Sequence, residues 1–134
     1  MCNDAHFLKT GYAKYGNEVL NRLVDTGKYE LAELACYGEV GDERNRNARW
    51  MYYANAVGKD DPRYNLYNSN VKNEFGLWRF ERVLLDFKPD IVWDIRDFWM
   101  LVHERTSPLR PFYHWAIMPT VDSAPQKEHW VETI

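Results

Sequence analysis

Apolar positions in this chain fall into short runs separated by polar stretches that glycine and proline punctuate. After Gly16, residues Val19, Leu20, Leu23 and Val24 occupy one helical face while Asn17, Glu18, Asn21 and Arg22 lie off it, so the spacing predicts a helix that Gly27 ends. The run 29–37 partly alternates between Gly27 and Gly38 and reads as a strand, with a helix as the alternative. From Gly38 to Asn73 the chain is polar, interrupted by the apolar-aromatic run 50–57, which reads as a short strand. Leu77, Phe80, Val83, Leu84 and Phe87 recur at three and four, predicting a helix over 73–88 that Pro89 stops. The run 90–95 is short and β-branched, as a buried parallel strand is. A short helix over 98–104, a proline-interrupted loop over 107–111 and a strand over 112–118 follow; a turn over 122–125 leads into a last helix carrying Trp130, Val131 and Ile134.

This alternation predicts one α/β domain over residues 1–134, a Rossmann-like parallel sheet with right-handed crossovers and helices on both faces. Such a fold sets a central strand of about five apolar residues before its first helix. Only Met1 to Asp4 stand there, and the last helix stops at Ile134 without a cap. The expectation is a fragment of a longer protein, lacking most of its first strand.

Composition narrows the function classes. With 46% hydrophobic and 28% charged residues in 134, the chain can bury a core and is not a disordered tail. A formal charge of -3, from 17 basic against 20 acidic residues, lacks the footprint of a nucleic-acid binder, and the cluster 44–49 reads as a solvated loop. Cys2 and Cys36 have no CxxC spacing and read as reduced thiols. No apolar run approaches the roughly 18 residues of a membrane span, and 1–4 begins no secretory signal, so a cytoplasmic protein without a transmembrane segment is expected.

Candidate chemistry clusters at predicted strand ends. Gly11, Tyr12 and Gly16 stand before a helix, where glycine permits close backbone approach and free N–H groups favour an anion; a ligand-free turn fits the pair as well. Asp94 and Asp97 follow the 90–95 strand and Asp122 follows the 112–118 strand, where ligands bind in open α/β sheets, although Asp97 and Asp122 could equally be helix caps. Histidines 6, 103, 114 and 129 lack metal-ligand spacing, so no metal site is expected; His6 is kept as a binding candidate because it lies in the loop before the glycines. No GxSxG elbow is present and Cys36 has no catalytic partner, so covalent catalysis has no support.

The run 10–23 (TGYAKYGNEVLNRL) resembles the first glycine loop and helix of GT-B glycosyltransferases, particularly phage, viral and bacterial relatives of the glycosyl group 1 kind. Phe87-Lys88-Pro89-Asp90-Ile91-Val92 is similar to the strand entry of their amino-terminal domain, and 115–125 with Trp130 resembles their Y-x-P-x-D-x-x-P…W segment; the stretch 41–70 resembles nothing. The resemblance implies a glycosyltransferase with two Rossmann-like domains, of which this chain is the acceptor-side one. It implies a nucleotide-sugar donor, a glycan or other hydroxyl acceptor and no cofactor. Gly11 and Gly16 would face the donor phosphates and the acceptor across the cleft, and Asp122 would be the catalytic residue that orients or deprotonates the acceptor hydroxyl. The first strand, the E-x7-E region and the donor domain of the family have no counterpart in these residues, so the chain by itself is expected to be inactive. The competing reading is a non-catalytic Rossmann-like binding or interaction domain.

Overall fold

The computed structural model describes residues 1–120, 124–125 and 127–132. Its elements in chain order are β1 (Cys2–Asp4), α1 (Gly11–Asp25), β2 (Ala32–Cys36), β3 (Met51–Ala54), α2 (Tyr64–Tyr67), α3 (Phe80–Phe87), β4 (Ile91–Asp94), α4 (Val102–Thr106), β5 (His114–Ile117) and α5 (Glu128–Val131). All described strand pairs are parallel: β1 pairs β2 with Cys2 opposite Leu34, β2 pairs β3 with Ala32 opposite Met51, and β4 pairs β5 with Ile91 opposite His114. β4 lies beside β1 as a separate two-stranded ladder, which gives the spatial order β3-β2-β1-β4-β5. The chain is therefore a mixed α/β fold of parallel strands, compatible with the Rossmann-like class.

Successive residues of β1 point to opposite faces and show how the layers form. Cys2 turns toward α3, where it packs with Leu34, Cys36, Phe80 and Leu84. Asn3 turns toward α1, its amide donating to the Tyr12 carbonyl at 3.0 Å. Helices thus cover both faces, as the alternation of elements predicts.

Two of the boundaries that differ from the sequence reading do so for a tertiary reason. α1 starts at Gly11 rather than after Gly16, because Thr10 is its N-cap and accepts from the Ala13 N–H. Gly16 is an interior helix residue: a Cβ there would lie 2.7 Å from Asn3 Nδ2 and 2.9 Å from Met1 Cε. The predicted 73–88 helix is broken at Gly76 (φ +104), which ends a 3-10 turn over Val71–Phe75 before α3 begins. A Cβ on Gly76 would stand 3.2 Å from both Cys2 Sγ and Leu34 Cδ2, so this left-handed bend lets the chain pass directly over β1 and β2. α3 then buries Phe80 and Leu84 and ends at Lys88, which adopts φ +54 ahead of Pro89. Gly16→Val should force α1 off β1 and lower unfolding stability by about 1–3 kcal/mol. Urea unfolding followed by tryptophan fluorescence checks it, and an unchanged midpoint would contradict the close packing.

Candidate functional site

The carboxyl ends of β1, β4 and β5 and the first turn of α1 converge on one group of side chains. Asp4 closes β1, and its Oδ2 accepts from Thr10 Oγ1 at 2.7 Å. Tyr12, in the first turn of α1, donates its phenol to Asp97 Oδ1 at 3.0 Å and lies 3.1 Å from Thr120 Oγ1. Thr120, beyond β5, also donates to Asp97 Oδ1. Two hydroxyls, one from the first turn of α1 and one from beyond β5, thus meet one carboxylate where β4 crosses over from β1, the position at which doubly wound sheets bind ligands. Burial pushes the Asp4 carboxyl above its ordinary value, opposed by the Thr10 hydrogen bond and by Arg96. Burial likewise raises the Tyr12 phenol.

An aromatic group continues from the end of β2. Tyr37 holds φ +63, a left-handed backbone rare for an aromatic residue. Its ring meets Phe75 edge-on at 6.3 Å, and Trp99 meets the same Phe75 edge-on at 5.0 Å. Tyr37 and Trp99 each leave 40% of their surface exposed. Burial first, then Asp4 and Glu74, push the Tyr37 phenol up to about 12, so it is a neutral donor.

The sequence-derived site residues divide accordingly. Tyr12 and Asp97 meet, and Asp97 binds hydroxyls while making no side-chain cap to the 3-10 turn that follows. Gly11 opens α1 beside them, is exposed, and has nothing within 4 Å of a Cβ position, so its loop makes no close approach. Gly16 faces the sheet, against Asn3 and Met1. Asp94 is fully buried and paired with Arg96 (2.9 and 2.6 Å), away from the Tyr12–Asp97 contact. His6 forms a separate group: its Nδ1 and Glu33 Oε2 are 2.7 Å apart, its N–H donates to Glu33 Oε1, and Trp50 Nε1 donates to Glu33 Oε2 at 2.9 Å. Among the described residues no hydrogen bond links His6 to Tyr12 or Asp97. Asp122 lies outside the described residues.

Asp4, Thr10, Tyr37, Trp99 and Thr120 escaped the sequence reading. Thr10 carried one local signal, a hydroxyl residue at a helix start; the rest are joined by tertiary contacts alone.

Behind the crevice sits a buried charged group. Arg96, fully buried, donates to Asp94, to Glu104 Oε1 at 3.3 Å, to the Phe75 carbonyl at 3.0 Å and to the sulfurs of Cys2 and Cys36 at 3.3 Å. Asp94 takes the guanidinium in a two-pronged pair and neutralises it. Glu104, buried and facing Asp94, is pushed well above the carboxylate range by burial and by that second carboxylate, with Arg96 opposing the shift. Burial and Arg96 pull the His103 imidazole down to about 3. Cys2, His103 and Glu104 place potential ligand atoms within 4.8 Å of one another. The Arg96 guanidinium already fills the cation's place among them, 3.3 Å from both Cys2 Sγ and Glu104 Oε1.

No protein-family model, curated protein or solved structure matches the chain. No described helix is long and apolar enough to cross a membrane.

Proposed function

We propose that this chain is the acceptor-side domain of a GT-B-type glycosyltransferase, moving a sugar from a nucleotide-sugar donor to a hydroxyl acceptor. The observation that supports it best is the Tyr12–Asp97–Thr120 group: a carboxylate at the switch point that already accepts two hydroxyl hydrogen bonds. A third hydroxyl, from a sugar lying against the exposed surface of Tyr37 and Trp99, would find the same acceptor. Aromatic faces beside carboxylates suit the apolar C–H face and polar rim of a carbohydrate. In the transfer, the acceptor oxygen forms the bond to the anomeric carbon as the bond from that carbon to the diphosphate breaks. A carboxylate in reach orients the attacking hydroxyl and takes its proton. The diphosphate leaves with its charge held by a donor domain that these residues do not include.

The geometry favours the acceptor over the donor phosphates at the start of α1. Asp4 and Asp97 bring two carboxyls to that helix end through Thr10 and Tyr12, and their charge opposes an incoming phosphate. Asp122 remains the proposed catalytic residue on the resemblance, and a cytoplasmic location goes with the same reading. Exposed Ile91, Phe112 and Met118 near β4 and β5 favour a second reading, a binding domain that docks a partner.

Titration calorimetry of the chain with a panel of neutral oligosaccharides tests the first reading. Asp97→Asn should weaken saccharide binding by about tenfold, since a hydrogen bond to a charged group is worth about 1.5–3 kcal/mol. A longer chain carrying a second α/β domain should release nucleoside diphosphate from a nucleotide sugar, and this chain alone should not. No saccharide binding, or binding indifferent to Asp97→Asn, would overturn the reading in favour of the partner-docking domain.

A further inference from the structure

Arginines gather around one indole ring beyond the end of β3. Trp78 follows the Gly76 bend, and its Nε1 donates to the Asn55 carbonyl at 3.1 Å, which ties the ring to the end of that strand. Tyr67 of α2 meets the ring edge-on at 5.9 Å. The guanidinium carbons of Arg63 and Arg79 lie 6.0 and 5.5 Å from its centre, both within reach of a cation–π contact. Arg82 stands in the first turn of α3, shortly after Arg79, and its charge acts on that residue.

Among the described residues a single carboxylate pairs with this group. Asp61 takes the Nε–Nη2 edge of Arg63 in a two-pronged pair at 2.9 and 2.6 Å. Arg79 is half-buried and donates Nη1 to the Ala54 carbonyl, while its Nε and Nη2 meet no partner among the described residues. Arg82 is exposed and likewise has no carboxylate within ion-pair distance among them. Burial, then the charges of Arg63 and Arg82, pull the Arg79 guanidinium below its ordinary value. Like charges held together repel, and an anion among them turns that repulsion into attraction.

We propose that Arg63, Arg79 and Arg82 bind the phosphate of a small, soluble phosphomonoester. Asp61 balances one of the three positive charges, and a phosphomonoester, with a charge of about −1.5 to −2 at neutral pH, matches the remainder better than a monoanion does. The planar guanidinium takes phosphate oxygens two at a time, and Arg79 presents the same Nε–Nη2 edge with which Arg63 holds Asp61. Contact with Trp78 places two of the guanidinium groups before a ligand arrives, so less rotamer freedom is lost on binding. The half-buried position of Arg79 favours a small ester over a headgroup held in a lipid surface. β3 is the strand at the opposite side of the sheet from β5, so the site stands whether or not the Tyr12–Asp97–Thr120 group handles sugars.

Titration calorimetry with methyl phosphate tests the proposal, beside methyl sulfate, a monoanion of similar shape, and vesicles bearing phosphatidate, which present the same monoester on a lipid. The chain should bind methyl phosphate at one site, and methyl sulfate several-fold more weakly. Arg82→Gln, at an exposed position, should weaken methyl phosphate binding about tenfold without moving the unfolding temperature. Arg79→Lys keeps the charge but loses the fork and should weaken it as well, whereas Lys28→Gln, at an exposed lysine ahead of β2, should leave it unchanged. No heat of binding at millimolar methyl phosphate, equal binding of the two small anions, or equal effects of Arg82→Gln and Lys28→Gln would overturn the proposal. So would binding to the vesicles without binding of methyl phosphate, since that would assign the arginines to a lipid surface.

Discussion

Arg96→Met should remove about 3–5 kcal/mol of stability, a large part of what a domain of this size has. The cause is the charge left behind and not the loss of side-chain volume. Asp94 is fully buried and its two oxygens are both held by Arg96, at 2.9 and 2.6 Å; without the guanidinium it is an uncompensated carboxylate in the core. The Phe75 carbonyl would also lose the stronger of its two donors, keeping only the Cys2 thiol. Removing both charges reverses most of the loss, because well-packed apolar side chains can replace a buried pair at little net cost. Arg96→Met combined with Asp94→Leu should therefore unfold at a higher urea concentration than Arg96→Met alone. If the double substitution proves the less stable of the two, the pair contributes through its geometry and not through mutual neutralisation.

The contrast between what could and could not be read locally is clear in these residues. β4 was legible because Pro89 ends a helix and three of the next five residues are apolar and suited to a strand. β2 and β3 likewise fall inside the runs read as strands, the exposed loops having been set off by their polar character. The break at Gly76 was not legible, since the three-and-four spacing passes from Leu77 into α3 whether or not the preceding turn is helical. Gly16 misled for a related reason: glycine is a poor interior helix residue, so it was taken as a boundary, whereas contact with Asn3 and Met1 decides its place. The crevice was half legible. Asp97 was placed correctly at a strand end, but its partners Tyr12 and Thr120 lie 85 and 23 residues away in sequence. Asp94, at the same strand end, faces inward because the pleat alternates, and only the position of Arg96 and Glu104 beneath it turns that orientation into a structural role.

The same buried group should give the chain a stability profile with two opposed slopes. His103 titrates near 3 in the folded state against 6.5 when exposed, so between those values the unfolded chain binds more protons and stability is lost as pH falls. Glu104 behaves oppositely: its folded pKa lies well above the ordinary 4.5, so its contribution is complete below about 4.5 and is lost as pH rises through the range above. Each slope approaches about 1.4 kcal/mol per pH unit where one proton separates the two states. The two largely cancel between about 4.5 and 6.5, the overlap of their windows. Single substitutions separate them. Glu104→Gln keeps an amide donor facing Asp94 without a proton to lose, so it should raise stability at pH 7 and leave the loss below pH 6.5 that His103 causes. His103→Leu fills the space between Phe80 and Gly76 with an apolar side chain, and should leave stability that declines steadily as pH rises above about 4.5. Urea midpoints at half-unit pH intervals from 3.5 to about 8 would resolve both slopes. A His103→Leu chain that still loses stability on acidification between 6.5 and 4.5 would show that another group carries the acid sensitivity, and a destabilising Glu104→Gln at pH 7 would show that Glu104 is ionised beside Arg96.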